Sequence, residues 1–203
     1  MAEVVVTARF LKTFAGNNVR FLGKGETVPG DGVGHEAIHY PWPFGPVAII
    51  TPFNFPLEIP ALQLMGALFM GNKPLLKPDP RVALVAESFV RLLLACGLSP
   101  DDLCLMHGGG EVTEALVTTK KDNGEFLIQM TQFTGSSQVA HHLSVVTKGR
   151  VKFEDSGLGW KILGPDFLDS DVEIVAKQCD ADAYAASGQK CSAQSLLFVN
   201  RKW

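Results

Sequence analysis

Val47-Ala48-Ile49-Ile50-Thr51-Pro52-Phe53-Asn54-Phe55-Pro56 runs from an unbroken apolar stretch into a proline-bracketed turn. Four successive apolar residues closed by Thr-Pro read as a strand buried on both faces, since a half-exposed strand would alternate. Residues 57–70 then carry a helical pattern, with Gly71-Asn72 as its stop, and Leu75-Leu76 is again extended. Residues 82–95 are helical after Pro80 and end at Cys96-Gly97. The rhythm continues with a strand at 103–106, a helix at 111–118, a strand at 126–133, a helix at 136–147 and a strand at 151–153. Strands alternating with helices of this length predict βαβ units, hence an α/β fold with an open, doubly wound parallel sheet.

Outward from that stretch the pattern weakens. Residues 1–46 are rich in Gly, Pro and His toward Pro46, have poor periodicity and read as an irregular amino-terminal segment. Residues 47–152 form the predicted sheet domain. Beyond Lys152 a glycine-rich stretch (154–165), a helix (171–186) and a strand (193–199) read as the opening of a second domain.

With 203 residues, 46% of them hydrophobic, the chain suffices for one domain and part of another. The net charge of -3 and the scattered Lys and Arg residues imply no nucleic-acid partner. No apolar run reaches the roughly 18 residues that a membrane span needs. The first twenty residues hold no long apolar region of the secretory kind, and their basic bias is too weak to mark a mitochondrial presequence. Cys96, Cys104, Cys179 and Cys191 form no C-x-x-C pair and match no metal spacing, which points to reduced thiols and no metal site.

Candidate chemistry gathers at strand ends. No G-x-G-x-x-G is present, but Phe133-Thr134-Gly135-Ser136 ends a strand and opens a helix. Free N–H groups, the helix dipole and the Ser136 hydroxyl favour a phosphate there; an isolated T-G-S is more often an ordinary N-cap. Lys77 faces the same carboxyl edge, where ligands bind in such sheets, or is simply a solvated strand-end lysine. Gly108-Gly109-Gly110 is a loop near a nucleotide or a plain turn; without G-x-S-x-G, a lipase oxyanion loop fails. Cys191 lies in Ser187-Gly188-Gln189-Lys190-Cys191-Ser192, between a helix and an apolar strand. Asn54, fixed between Pro52 and Pro56, can aim an amide that joins the Cys191 N–H in an oxyanion hole. Glu154 can activate water. Each has a bland alternative (a turn Asn, a surface Glu, a buried Cys), but their order together favours function.

Taken together these motifs resemble the aldehyde dehydrogenase superfamily across residues 34–203. Residues 51–56 are similar to its P-W-N-F-P signature, Leu76-Lys77-Pro78 to its adenosine-ribose lysine and residues 133–136 to its pyrophosphate turn. Phe153-Glu154 is similar to its general-base motif and Gly188-Gln189-Lys190-Cys191 to its nucleophile motif. Residues 42–50, 64–68, 160–166 and 187–195 further resemble the plant and protist branch of Δ1-pyrroline-5-carboxylate dehydrogenases.

The resemblance implies NAD-dependent oxidation of glutamate γ-semialdehyde, a small-molecule aldehyde, to glutamate in mitochondrial proline catabolism. In that scheme Cys191 is the nucleophile, Glu154 the base and Asn54 the oxyanion donor. Thr51, Pro52, Phe53, Lys77, Gly135 and Ser136 hold the cofactor, Ser192 touches the substrate carboxylate, and the enzyme is a homo-oligomer in the mitochondrial matrix. Three departures stand out. Asp155-Ser156-Gly157 replaces the usual residues after the base, and Pro80 stands where a ribose-binding Glu is common. Asp79 is then the substitute acceptor and NADP stays open as cofactor. The downstream E-x-F-G-P segment is absent before Trp203, so the 203 residues read as part of a longer enzyme, inactive alone. Three other readings remain: a non-catalytic nucleotide-binding fragment, an aldehyde dehydrogenase for another semialdehyde, and acyl transfer to coenzyme A, against which the presence of Glu154 argues.

Overall fold

The apolar run at 47–50 becomes the middle of a sheet. In the computed structural model, which describes residues 2–203, β3 (Pro46–Thr51) pairs in parallel with β4 (Lys73–Pro78) on one side and β6 (Met130–Gly135) on the other. β5 (Cys104–Leu105) lies outside β4 and β7 (Val151–Asp155) outside β6, so the order is β5-β4-β3-β6-β7 and every pairing is parallel. The chain builds from β3 out to β5, then returns to the other side of β3. Loops leaving β3 and β6 therefore diverge, and a crevice opens between them at the carboxyl edge.

Both faces of the sheet are covered, as the unbroken apolar run requires. α3 (Glu58–Phe69) and α4 (Ala83–Ala95) cover one face, and α5 (Gly110–Thr118) and α6 (Ser137–Val146) the other. Ile49 packs with Leu64, Leu76 and Phe89; its neighbours Ala48 and Ile50 point the opposite way, into Leu116, Phe133 and Leu143. Each such fully buried aliphatic side chain contributes about 1.5–3 kcal/mol.

Of residues 1–46, read as irregular from the sequence, the described part, 2–46, is substantially ordered. α1 (Ala2–Thr13) runs through a π-helical turn (Phe14–Asn18) into α2 (Val19–Leu22), and β1 (Glu26–Pro29) pairs antiparallel with β2 (Glu36–His39). Thr7 is buried, and Leu11 and Phe14 pack on the α3 side of the core. Their spacing is helical, but a threonine in the buried stripe and three consecutive valines mask it. The strand expected at 126–133 begins only at Met130. Before it, Phe126 lies under the Arg150 guanidinium at 3.4 Å and Gln129 donates its N–H to the Pro46 carbonyl. The glycine-rich stretch after residue 154 hides β8 (Gly159–Leu163), which pairs in parallel with β9 (Gln194–Val199). A Cβ on Gly159 would stand 2.3 Å from the Ala193 carbonyl oxygen, so glycine is required for that approach. α7 (Val172–Tyr184) separates these two strands.

α1 also holds the helix that follows the Asn54 turn. Leu57, the N-cap of α3, makes no side-chain cap; instead the Glu3 carboxylate accepts from the N–H groups of Leu57 at 2.8 Å and Glu58 at 2.9 Å. A negative charge there also suits the helix dipole. Glu3→Ala is expected to lower stability by about 1 kcal/mol, while Glu3→Gln, which keeps an acceptor, loses less. Urea midpoints measure both, and equal losses would remove the capping role.

Candidate active site

β3, β4 and β6 deliver their carboxyl ends to one cleft of about 660 Å³. β3 supplies Thr51 and the turn through Pro52, Phe53 and Asn54. In register with Ile50 of β3 are Lys77 of β4 and Phe133 of β6. Gly135 and Ser136 follow at the end of β6 and form the opposite wall, while Gly188 to Cys191 close one end. The structure thus brings these four separated segments to one crevice.

The wall formed by β6 and α6 suits an anion. Ser136 has an extended backbone, is the N-cap of the ten-residue α6, and makes no side-chain cap bond, so its hydroxyl is open to another partner. A Cβ on Gly135 would meet the Phe133 ring at 2.6 Å, so a larger residue there would push that ring out of its place in the cleft lining. Lys77 is 6% exposed, and its ammonium makes no hydrogen bond among the described residues. Burial pulls its pKa below the ordinary lysine value, against the opposing pull of Asp79. A buried cation with no hydrogen-bond partner among the described residues, beside open N–H donors, is chemically matched to a phosphorylated, hydroxyl-bearing ligand. Gly110, from the three-glycine loop, lines the same cleft, as do His142 and Glu114, whose side chains meet at 3.2 Å.

At the other end stands the thiol. Glu154, near the end of β7, stands close enough to the Cys191 side chain to act on its titration. Burial first, then this contact and the charge of Glu154, hold the thiol above its ordinary pKa, while the N–H groups of Ser192 and Cys191 pull it partly back. The Asn54 amide donates to the Gln189 carbonyl at 2.9 Å, two residues before the cysteine, which ties the β3 turn to the loop that carries Cys191. An NH₂ carries two protons, so one stays available for an oxyanion. The Asn54 carbonyl oxygen is buried without a partner. The loop approaches Cys191 through Ala186, Ser187 and Gly188, all at positive φ. For the first two this costs about 1–2 kcal/mol each, a strain typical of functional loops.

Two residues stand apart from the sequence-based arrangement. Glu154 opens not on the cleft that Cys191 lines but on a second cavity of about 660 Å³, whose polar lining includes Gln63, Gln132 and Thr134. Thr134 borders both cavities, and Gln63 donates to its hydroxyl at 2.8 Å. Ser192 is exposed and does not line the cleft, whereas Ser195 does. Glu3, Gln63, Arg81 and His142 were missed in the sequence, because each gains its place through contacts with residues distant in the chain or across a turn. Among the described residues no group of three or more His, Cys, Asp or Glu could hold a metal, and no helix is long and apolar enough to cross a membrane.

The Glu154–Cys191 contact gives a direct expectation. Glu154→Gln removes the negative charge and should move the pH midpoint of Cys191 alkylation downward, so labelling at neutral pH accelerates. Iodoacetamide rates followed by peptide mass spectrometry from pH 6 to 10 check this, with exposed Cys96 and Cys104 as internal standards. An unchanged midpoint would show that the carboxylate does not control the thiol.

The model of the aldehyde dehydrogenase family matches residues 1–203. The chain belongs to the aldehyde dehydrogenase family. It is 52% identical over 201 residues to Delta-1-pyrroline-5-carboxylate dehydrogenase 12A1, mitochondrial, of Arabidopsis thaliana, covering 99% of this chain and 35% of that protein. A probable aldehyde dehydrogenase of Linum usitatissimum is likewise 52% identical over 203 residues, all of this chain and 35% of the relative. Among solved structures, the NAD-dependent aldehyde dehydrogenase from Sinorhizobium meliloti superposes with a TM-score of 0.87 at 26% identity, covering 99% of this chain and 39% of that one. The chain therefore spans about a third of the length of the curated relatives it matches.

Proposed function

We propose that the whole protein is an NAD-dependent aldehyde dehydrogenase that oxidises L-glutamate γ-semialdehyde, the open form of Δ1-pyrroline-5-carboxylate, to L-glutamate. The observation that carries this reading is the Glu154 carboxylate on the Cys191 thiol, with the Asn54 amide anchored beside it at the end of a phosphate-suited cleft. The similarity to the Arabidopsis protein supports the substrate, and the Sinorhizobium structure's NAD dependence supports the cofactor. In this division of labour residues 47–152 form the nucleotide-binding domain and 153–203 begin the catalytic one, although β7 carries Glu154 as part of the first sheet. The mitochondrial name of the Arabidopsis relative supports a place in the matrix, and a homo-oligomer accords with the family reading.

Lys77, Ser136, Gly135 and the turn at residues 51–53 would hold the dinucleotide, whose open donors and unpartnered cation fit its phosphates and ribose. Bound NAD supplies the two-electron acceptor. The Cys191 thiol gives its proton to water, and the thiolate sulfur bonds to the aldehyde carbon while the carbonyl electron pair moves onto oxygen. Asn54 and the Cys191 N–H donate to that oxyanion, a contribution on the order of 3 kcal/mol per donor. After oxidation to the thioester, Glu154 takes a proton from water, the water oxygen attacks the acyl carbon, and the C–S bond breaks to free the acid and the thiol. Ser192, next to the nucleophile, is assigned to the substrate carboxylate by family resemblance and not by its present exposed position.

The second cavity favours hydrolysis over transfer to coenzyme A, because it opens Glu154 to solvent on the side away from the nucleotide cleft. The test is the purified whole protein with NAD and a panel of glutamate, succinate and aliphatic aldehydes. The highest kcat/KM is expected for glutamate semialdehyde, with free glutamate as product in the absence of coenzyme A. Preference for another semialdehyde, or an obligate acyl-thioester product, would overturn it.

A further inference from the structure

We propose that Glu3 is a positioning residue for aldehyde oxidation: by capping the start of α3 it holds the turn that carries Asn54, and so sets where that amide stands relative to Cys191. This rests on the reading of Asn54 as the oxyanion donor. Glu3 lines neither cavity, so its influence on the reaction travels through the backbone that joins α3 to the turn.

The turn has little to hold it from within. β3 ends at Thr51, whose carbonyl accepts from the Asp79 N–H at 3.0 Å, and α3 begins at Glu58. Between them the backbone of residues 52–56 makes no hydrogen bond among the described residues. Contacts from other segments fix it instead. The Arg81 guanidinium lies 3.8 Å from the centre of the Phe53 ring, and the Asn54 amide donates to the Gln189 carbonyl at 2.9 Å. On the helix side, Glu3 Oε1 accepts from the N–H groups of Leu57 at 2.8 Å and Glu58 at 2.9 Å. Only Phe55 and Pro56 separate Leu57 from Asn54. Proline fixes its own φ and restricts the residue before it, so a displacement at Leu57 reaches Asn54 with little absorbed on the way.

Glu3 is itself held by a rigid element. Leu11 and Phe14, further along the same amino-terminal helical segment, pack on the core cluster that contains Ala61 and Leu64 of α3. The start of α3 also lies within reach of the loop that Asn54 grips. Burial first, and then the charge of Glu3, push the Glu58 carboxyl up, while Lys190 pulls it back. Lys190 stands between Gln189 and Cys191. Freeing the start of α3 therefore loosens the donor relative to the thiol. An oxyanion donor acts only when it is aimed at the place where the charge develops, so rate falls steeply with such a shift while ground-state binding does not.

The test is a double-mutant cycle in the whole protein, read as kcat and KM with its best aldehyde. Glu3→Ala is expected to lower kcat by about tenfold, with KM and NAD affinity within about twofold of wild type. Asn54→Ala should cost about 10²–10³-fold. Because Glu3 acts through Asn54, adding Glu3→Ala to Asn54→Ala should change kcat by no more than about twofold. A general loss of folded protein would instead lower both backgrounds alike. Glu3→Gln keeps the acceptor and should restore kcat to within about threefold of wild type. Glu3→Asp keeps the charge but draws it back from the two N–H groups, and it carries the same cycle if the alanine variant does not fold. A kcat for both Glu3→Ala and Glu3→Asp within about twofold of wild type, or a loss that persists in full without Asn54, overturns the positioning role. Full activity in Asn54→Ala overturns the reading of Asn54 as the donor, and this proposal with it.

Discussion

Cys191→Ala is expected to lower aldehyde oxidation by the whole protein by about 10⁴-fold or more, because no other thiol among the described residues lines the cleft. Cys179 is buried on α7, and Cys96 and Cys104 lie outside the cleft lining, so none can substitute for it. Lys77, Gly135 and Ser136, which shape the nucleotide wall, are untouched, so NAD affinity should be nearly unchanged by calorimetry. Loss of turnover with retained binding separates a missing nucleophile from a damaged fold. Activity above a hundredth of wild type would show that Cys191 is not the attacking group.

Glu154→Gln should produce the second largest effect, and of a different kind. The glutamine retains size and an acceptor but cannot take a proton from water. Steady turnover is therefore expected to fall by about 10²–10⁴-fold. The first turnover should survive, because removing the carboxylate charge leaves the Cys191 thiol easier to ionise and not harder. Rapid mixing should accordingly show a burst of reduced nucleotide, followed by a slow phase, with the acyl group trapped on Cys191 and visible by mass spectrometry. A variant without a burst but with normal NAD binding would place Glu154 before hydride transfer, as the base that activates the thiol. The alkylation experiment discriminates the same point from the other side.

The strain in the nucleophile loop has a bearing on both results. Ala186 and Ser187 hold left-handed backbone just ahead of Cys191, and the Asn54 amide grips the Gln189 carbonyl within the same loop. The loop is thus fixed by the β3 turn and not by its own local preference. Burial and the charge of Glu154 raise the pKa of the Cys191 thiol, which slows its oxidation while it faces an open cleft.

Much of this was legible in the chain itself. The apolar run at 47–50, its prolines and the regular alternation downstream determined a parallel sheet covered on both faces, because burial on both sides leaves no polar face to alternate. The identities of Cys191, Glu154, Asn54, Lys77 and Ser136 also stood out, since each sits at a strand end or loop where residue type and turn chemistry coincide. What sequence could not supply was everything set by contacts between distant segments. α1 forms despite its valines because Leu11 and Phe14 reach the core, and Glu3 finds the start of α3 more than fifty residues away. β8 forms inside a glycine-rich stretch because Gly159 admits the Ala193 carbonyl. The resting protonation of the thiol, the clamp from Asn54 to Gln189, and the stack of Arg81 on Phe53 are likewise tertiary. Local pattern fixes which residues are available and which way a strand or helix presents them. Only the register of β3, β4, β6 and β7 decides which of them meet, because a charge, an amide or a ring acquires its chemistry from neighbours that the chain brings close in space and not in order.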